Sequence, residues 1–133
     1  MQQRTDPLEE FLPPEILRRT QVVVDIPSRV AIYCASATTD GLVKVGSNPA
    51  PWLIVLHPEF YIAGTATGEA LRAHEMFHVW QRTVVPNFDA EFSREAELLE
   101  KQGRNPWENP YEKPAYDFEQ DIKQKLIERG YKP

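Results

Sequence analysis

The sequence predicts a small α+β domain in which a short mixed or antiparallel sheet packs on three main helices. Two observations predict this class. Residues 21–60 contain four short apolar runs separated by Pro, Gly, Asn, Ser and Asp, a pattern typical of strands. From residue 64 onward, apolar residues recur at helical spacing between glycine and proline breaks. A sheet followed by a run of helices is typical of the α+β class.

Length and composition set limits on the kind of protein. The chain has 133 residues, enough for one modest core, so we expect a single domain over residues 1–133. The net charge is −5 and no basic stripe is present, which disfavours nucleic acid and an anionic membrane surface as partners. No apolar run reaches the roughly 20 residues of a membrane span, and the first residues lack the apolar core of a signal peptide. We expect a cytoplasmic protein, although export by a non-classical route leaves no such mark.

The first half of the chain is predicted as a helical lead-in followed by strands. Residues 1–20 form the lead-in, because Asp6 followed by Pro7 is a cap and first-turn signal. Strands are predicted at residues 22–26, 30–35, 42–45 and 52–56. The last of these is apolar throughout, which favours a strand buried on both faces. Cys34 is the only cysteine, so no internal disulfide can form, and its apolar neighbours favour an inert buried thiol.

The second half of the chain is predicted as three helices. The first begins at a threonine N-cap, Thr65 or Thr67, and runs to about Arg82. A second helix is predicted at residues 89–102, and a Pro- and Asn-rich loop leads to the third, at residues 114–129. Each of the last two is followed by a glycine, which is typical of a helix C-terminus.

The first of these helices carries the sequence His74-Glu75-Met76-Phe77-His78. Two histidines four apart lie on one face of a helix, so both imidazoles can reach one Zn²⁺ at about 2.0–2.1 Å. Glu75 then lies beside the metal without being a ligand, where it can take a proton from water activated by the zinc. The chain holds three histidines and two of them fall in this motif. The motif therefore predicts a metal site rather than a chance pair of core histidines.

The third ligand is expected to be a carboxylate. A catalytic zinc site takes three protein ligands and leaves one position for water, and no histidine follows His78. Two groups of acids compete: Glu91, Glu95, Glu97 and Glu100 on the second helix, and Glu108, Glu112 and Glu119 around the loop and the last helix. On the second helix the acids alternate with Arg94 and Lys101, which is typical of a solvated face. The residues alone leave both groups open.

A resemblance to a known family chooses between them. The chain reads Asn-Pro-Tyr-Glu-Lys-Pro-Ala-Tyr over residues 109–116, after a His-Glu-x-x-His-x-x-Gln helix at residues 71–82. The pair resembles the minimal gluzincin-type zinc metallopeptidase domains of small bacterial and phage proteins, which have a zincin-like fold and an Asn-Pro-x-Glu-x-x-Ala motif. The resemblance covers about a sixth of the chain. It implies a zinc-dependent hydrolase acting on a peptide or protein substrate, with Glu112 as the third ligand and Glu75 as the catalytic base.

The same resemblance implies further roles. Gln81 corresponds to a residue that hydrogen-bonds to a ligand rather than to the metal. Pro114 departs from the pattern and allows two geometries. A helix starting at Asn109 would lose a backbone hydrogen bond at Pro114, whereas a helix starting at Pro114 would leave Glu112 just before it. Glu95 or Glu97, Glu108 and Glu119 remain the alternative third ligands.

Several expectations stay open at this stage. The donor that would stabilise an oxyanion is one of Tyr61, Tyr111, Tyr116, His57 and Arg82, and the sequence does not rank them. An edge strand, at residues 59–63 or around Lys44, is expected to pair with an extended substrate. The alternative functions are a non-catalytic zinc-binding structural or interaction domain and a cell-wall peptide hydrolase. No partner protein can be identified, and a chain of this size is expected to have a shallow cleft.

Overall fold

A computed structural model describes residues 6–25, 35–38, 43–45, 48–50 and 52–133, with side chains described in 6–25 and 52–133. The helices are α1 (Pro14–Arg18), α2 (Ala66–Val84), α3 (Phe88–Lys101) and α4 (Glu112–Glu128), and a 3₁₀ turn spans Pro106–Glu108. The strands are β1 (Thr20–Val24), β2 (Ala35–Thr38), β3 (Val43–Val45), β4 (Asn48–Ala50) and β5 (Trp52–Leu56). The predicted α+β class is confirmed.

The main described sheet is mixed, with strand order β1-β5-β2. β1 runs parallel to β5, and β2 runs antiparallel to it. Ile54 and Leu56, on one face of β5, are fully buried, whereas Leu53 and Val55, on the other face, are half-buried. The predicted burial on both faces of this strand is therefore complete on the face of Ile54 and Leu56, which belongs to the core cluster, and partial on the face of Leu53 and Val55.

Helix α2 forms the centre of the described core. Its apolar positions Ala70, Ala73, Met76 and Val79 are almost fully buried. They belong to one cluster with residues from the lead-in, β5 and α4: Leu8, Leu12, Ile16, Ile54, Leu56, Ile122 and Leu126. Since α2 touches the sheet on one side and α4 on another, its side chains face both neighbours. This placement lets one stretch of α2 supply core residues and a polar site.

The start of α2 is fixed by a cap and a close approach of the backbone. Thr65 is the N-cap and its hydroxyl accepts a hydrogen bond from the amide of Gly68 at 3.0 Å. A Cβ at Gly68 would lie 2.4 Å from the carbonyl oxygen of Ile62, so only glycine fits. The carbonyl of Lys132 accepts from the amide of Ala66 at 2.6 Å, which ties the end of the chain to the same turn.

Several predicted boundaries differ from the structure. The third main helix begins at Glu112, two residues earlier than predicted, so Pro114 lies in its first turn. Amides of the first turn have no partner within the helix, and Pro114 therefore removes no backbone hydrogen bond. β4 lies in a Pro- and Asn-containing stretch that was predicted as a connection, and β2 begins where the strand at residues 30–35 was expected to end.

Other predictions fall on residues that are not described. Residues 26, 30–34 and 42, including Cys34, lie outside the described part of the chain. Within the part described, no helix is both long enough and apolar enough for a membrane span.

Candidate metal centre

Helices α2 and α4 bring the three predicted ligands to one point. His74 and His78 are one turn apart on α2, and Glu112 is the first residue of α4. The Nε2 atoms of the two histidines are 3.2 Å apart. Oε1 of Glu112 lies 2.6 Å from Nε2 of His74 and 3.1 Å from Nε2 of His78. The three residues are thus arranged as a group that can hold a metal ion.

Gln81 determines which nitrogen of His78 carries the proton. Its side-chain amide group donates to the carbonyl oxygen of Tyr111 at 3.0 Å, so its oxygen must face the other way. That oxygen lies 2.7 Å from Nδ1 of His78. Because a carbonyl oxygen only accepts, Nδ1 of His78 carries the hydrogen and Nε2 presents a lone pair towards Glu112. The predicted role of Gln81, contact with a ligand rather than with the metal, agrees with this geometry.

His74 has a different neighbour on its outer side. Oε1 of Glu119 lies 2.8 Å from Nδ1 of His74, within ion-pair distance. The carboxylate is off the line of the N–H bond, and Nδ1 makes no aligned hydrogen bond with the described residues. A carboxylate at this position favours a proton on Nδ1 and a lone pair on Nε2 of His74.

The separations suit a zinc ion. Two ligand atoms on a tetrahedral zinc at about 2.0–2.1 Å are roughly 3.3 Å apart. The distances of 3.2 and 3.1 Å agree with this value, and that of 2.6 Å is shorter. Two nitrogen lone pairs and a carboxylate oxygen repel one another at such distances unless a cation lies between them. The donor set of two imidazoles and one carboxylate therefore fits zinc.

Without a metal, a proton takes the place of that cation. Burial lowers the pKa of His74, but the neighbouring carboxylates of Glu112 and Glu119 outweigh this effect and raise it to about 10. Burial raises the pKa of Glu112, while the hydrogen bond from the protonated His74 acts more strongly and lowers it to about 2. In the metal-free protein His74 is therefore an imidazolium paired with the Glu112 carboxylate at neutral pH.

Glu75 lies beside this group on the same helix. It is 9% exposed, against 6% for His74 and 8% for His78. Burial raises the pKa of Glu75, and the neighbouring charges of both histidines oppose that rise. Glu75 is not one of the three converging ligands, as expected for the residue after the first histidine. Its carboxyl group lies next to the three side chains that could hold a metal ion.

The other proposed third ligands lie elsewhere. Glu91 and Glu95 contact the exposed Arg94, and Glu108 pairs with Arg104 and caps the 3₁₀ turn. Glu97 and Glu100 are exposed on α3. Glu119 contacts the outer nitrogen of His74 and is not part of the converging group. Among the described acids, Glu112 is thus the one whose oxygen meets both histidines.

The five proposed oxyanion donors also have other contacts. The hydroxyl of Tyr61 donates to Glu69 at 2.8 Å, and Tyr116 packs against Trp107. The ring of Tyr111 packs on Phe88, and Nδ1 of His57 accepts from the amide of Glu59. Arg82 forms an ion pair with Asp89. Arg82 and Tyr111 both contact Phe88, whose ring packs on His78.

Asn109 is a site residue whose structural role the sequence did not predict. It is 1% exposed, and its side-chain oxygen accepts from the amide of Tyr111 at 2.9 Å. Its side-chain nitrogen donates to the carbonyl of Phe92 on α3, and its own carbonyl accepts from the amide of Glu112. Asn109 thus fixes the turn that carries Glu112 against α3. An Asn-Pro pair just before a helix is a turn signal that identifies this position.

No family model, curated protein or solved structure matches this chain. The function is therefore inferred from the geometry of the site.

Proposed function

We propose that this protein is a zinc-dependent hydrolase, and that it is a gluzincin-like metallopeptidase. The observation that supports this most directly is the convergence of His74, His78 and Glu112 with Glu75 buried beside them. A structural zinc site commonly closes with a fourth protein ligand and has no need of a general base. Here three donors converge, and the residue next to them is a carboxylic acid.

His74, His78 and Glu112 would hold the zinc ion. A bound zinc ion supplies Lewis-acid chemistry, which lowers the pKa of water and polarises a carbonyl group. Glu75 accepts a proton from the attacking water and returns it to the amine that leaves when a peptide bond is cleaved. Burial raises the pKa of Glu75 above its ordinary value, which makes its carboxylate a stronger base.

The hydrogen bonds around the site support these roles. Gln81 orients His78, and its second bond, to the carbonyl of Tyr111, connects α2 to the turn before Glu112. Asn109 fixes the same turn against α3. Ligands held from two sides keep their geometry without the metal, so less order has to be created when zinc binds.

The metal is tested first, by mass spectrometry of the wild type and of Glu112→Ala, purified without a histidine tag. We expect about one zinc per wild-type chain and much less in Glu112→Ala, because two protein ligands bind weakly. Glu108→Ala is the matched control, since this acid lies on the surface and pairs with Arg104. A folded wild type that takes up no zinc would contradict the proposed metal site.

Catalysis is tested separately with Glu75→Gln. This variant is expected to keep zinc and to lose hydrolysis by about 10²–10⁴-fold, the usual contribution of a positioned base. The substrates are a random peptide library and cell-wall peptide fragments, so that a cell-wall hydrolase and a general peptidase give different results. Equal hydrolysis by wild type and Glu75→Gln would rule out the proposed role of Glu75.

The second candidate is a zinc site that only joins α2 to α4. It is favoured by the burial of both histidines, each less than a tenth exposed. In that case zinc would raise the thermal stability of wild type and Glu75→Gln equally, and neither would cleave any substrate in the two collections.

A further inference from the structure

Helix α3 covers one side of the metal centre with two aromatic rings. The ring centre of Phe88 lies 6.0 Å from that of His78, and the ring centre of Phe92, one turn further along α3, lies 5.7 Å from it. Phe88 is 5% exposed and His78 is 8% exposed. His78 is therefore shielded from solvent in part by a separate helix, and it would become accessible if α3 moved away.

Helix α3 is attached to the rest of the protein differently from α2 and α4. The core cluster takes its buried residues from the lead-in, β5, α2 and α4, and among the described residues none of its members belongs to α3. The two buried residues of α3, Phe88 and Leu99, lie outside that cluster. Residues on the opposite face of the helix, such as Ser93, Arg94 and Glu97, are exposed. A helix that contributes nothing to the main core can separate from it at a lower free energy than the core elements themselves.

Polar side chains tie α3 to α2 and to the turn before α4. Nε and Nη2 of Arg82 lie 3.0 and 2.9 Å from one carboxylate oxygen of Asp89, whose side chain is 66% exposed. Because water screens the charges of an exposed ion pair, this tie is weak. The side-chain nitrogen of Asn109 donates to the carbonyl of Phe92 at 3.2 Å. Both contacts can break while the core cluster stays packed.

Both ends of α3 are marked by a residue in the left-handed region of the backbone. Asn87, directly before the helix, has φ 55° and makes no side-chain capping hydrogen bond. Gly103, two residues after the last helical residue Lys101, has φ 64°. Asparagine and glycine adopt this conformation more readily than other residues, and sparsely populated backbone conformations are found at switch segments. These two positions can take up the change of direction that a swing of α3 would require.

We propose that α3 is a lid over the metal centre, which opens as a unit about Asn87 and Gly103 while α2, α4 and the sheet keep their structure. Opening breaks the contacts of the Asp89 carboxylate and the Phe92 carbonyl, and it withdraws the Phe92 ring from His78. Metal and substrate then reach the buried histidines through the open state. The inference rests on the proposed function, because the lid controls access to the same metal site.

Hydrogen exchange of the full chain, followed by NMR without zinc, tests the opening itself. After correction for intrinsic rates, the amides of residues 92–101 in α3 are expected to exchange together. They should exchange at least about tenfold faster than the interior amides of α2 and α4, because opening of α3 leaves those two helices intact. Exchange of all three helices at one common rate would overturn the inference. Exchange that quickens gradually towards the ends of α3 would also overturn it, since that pattern indicates fraying.

A matched pair of variants links the lid to the metal. Asp89 and Glu91 are both acids in the first turn of α3, but Asp89 pairs with Arg82 on α2, whereas Glu91 pairs with Arg94 within α3. Asp89→Ala is expected to raise the open fraction, and with it the rate at which excess chelator removes zinc, by about two- to fivefold. Glu91→Ala is expected to leave that rate unchanged. Equal rates in the wild type and Asp89→Ala would overturn the inference.

The two measurements together separate a lid from a simple effect of charge. In Asp89→Ala the α3 amides should exchange faster by the same factor as zinc is released, because both processes pass through one open state. Faster zinc release with unchanged α3 exchange would overturn the inference. A protein that binds zinc and shows both effects but cleaves nothing would contradict the proposed hydrolysis and support the lid. Hydrolysis that depends on Glu75, with zinc release unaffected by Asp89→Ala, would overturn the lid and leave the proposed function in place.

Discussion

Helix α2 carries two polar clusters that differ in how their charges are balanced, one around Glu69 and Arg72 in its first half and one around His74 and His78 in its middle. At the N-terminal end Arg72 contacts Asp6 and Glu69, with distances of 2.7 Å to Asp6 and 3.1 Å to Glu69. The hydroxyl of Tyr61 donates a hydrogen bond to the Glu69 carboxylate at 2.8 Å. Each polar group in this cluster faces a protein group of opposite character. The polar groups of this cluster are therefore satisfied by one another and need no ligand.

In the cluster further along α2, the polar groups do not all have complementary partners. It contains three carboxylates, Glu75, Glu112 and Glu119, and two histidines. The outer nitrogens of the histidines face Gln81 and Glu119, so both inner nitrogens face the Glu112 carboxylate. In this cluster the hydrogen-bond acceptors, which are the carboxylate oxygens and the inner nitrogen atoms of the neutral histidines, outnumber the hydrogen-bond donors. The comparison shows that a buried polar cluster indicates a ligand when its groups lack complementary partners, and a structural role when they have them.

The largest effect is expected from Arg72→Met, in the cluster that Arg72 forms with Asp6 and Glu69. This change leaves Glu69, whose side chain is 6% exposed, without its cation, and breaking a buried ion pair costs about 3–5 kcal/mol. Urea denaturation would measure the loss, and the zinc content should stay at the wild-type level. Arg94→Met is the control, because its pair with Glu91 is exposed and contributes about 1 kcal/mol or less. Equal losses in the two variants would contradict this view of the cluster.

In the cluster of His74, His78 and Glu112, the next largest effect is expected from Gln81→Leu. Leucine accepts no hydrogen bond from Nδ1 of His78 and makes none to the carbonyl of Tyr111, so the histidine and the Glu112 turn both lose their fixed orientation. Residues that orient a ligand are typically worth 10–100-fold in metal affinity. Competition with a fluorescent chelator measures the change. Gln124→Leu removes an exposed hydrogen bond and should leave zinc affinity unaltered.

The pH dependence separates the metal-free from the zinc-loaded protein. In the metal-free state the pKa of His74 is raised from 6.5 to about 10, so its contribution to stability is complete below pH 6.5 and is lost as pH rises through about 10. The pKa of Glu112 is lowered from 4.5 to about 2, so its contribution is present above pH 4.5 and is lost as pH falls through about 2. From this pair, the metal-free protein is most stable between pH 4.5 and 6.5.

When zinc is bound, stability is expected to rise with pH above pH 6.5 instead of falling, because zinc binds more tightly as pH rises. The metal displaces the proton of His74, so one proton is released per zinc and affinity rises by about tenfold for each pH unit in the neutral range. Isothermal titration in two buffers of different ionisation enthalpy counts the protons. Release of no proton between pH 6.5 and 8 would mean that His74 is neutral before zinc binds.

The sequence predicted the parts of the site that depend on local geometry. The spacing of His74 and His78 determines a shared helical face wherever the helix lies, so their meeting point follows from α2 alone. The role of Gln81, three residues after His78 on the same helix, was implied by the resemblance. Glu112 is 34 residues from His78, and no local pattern links them, so its identification depended on the resemblance.

Other features depended on tertiary structure. Glu119 was considered as a ligand and instead faces the outer nitrogen of His74. Its spacing of seven residues from Glu112 places both on one side of α4, but the sequence does not show which atom each carboxylate meets. The start of α4 was predicted two residues late because Pro114 was expected to begin the helix, whereas the first turn accepts a proline at its third position as well.

The smallest effect is expected from Glu119→Gln, which compares the two histidines with each other. His78 has a neutral and well-aligned acceptor, whereas His74 has a charged and off-axis one. Replacing the charge lowers the pKa of His74 in the metal-free protein, because Glu119 is one of the groups that raise it. NMR titration of the ring protons would measure that change.

Zinc affinity responds to Glu119→Gln through two opposing effects. A lower pKa of His74 weakens the competition from the proton, and it also makes the imidazole a poorer donor to the metal. We expect the two to offset each other in part at neutral pH, so that the change in zinc affinity is smaller than the loss in Gln81→Leu. A loss as large as that of Gln81→Leu would show that Glu119 orients His74 by a directed hydrogen bond. The balance of charge at this site would then matter less than the alignment of its two histidines.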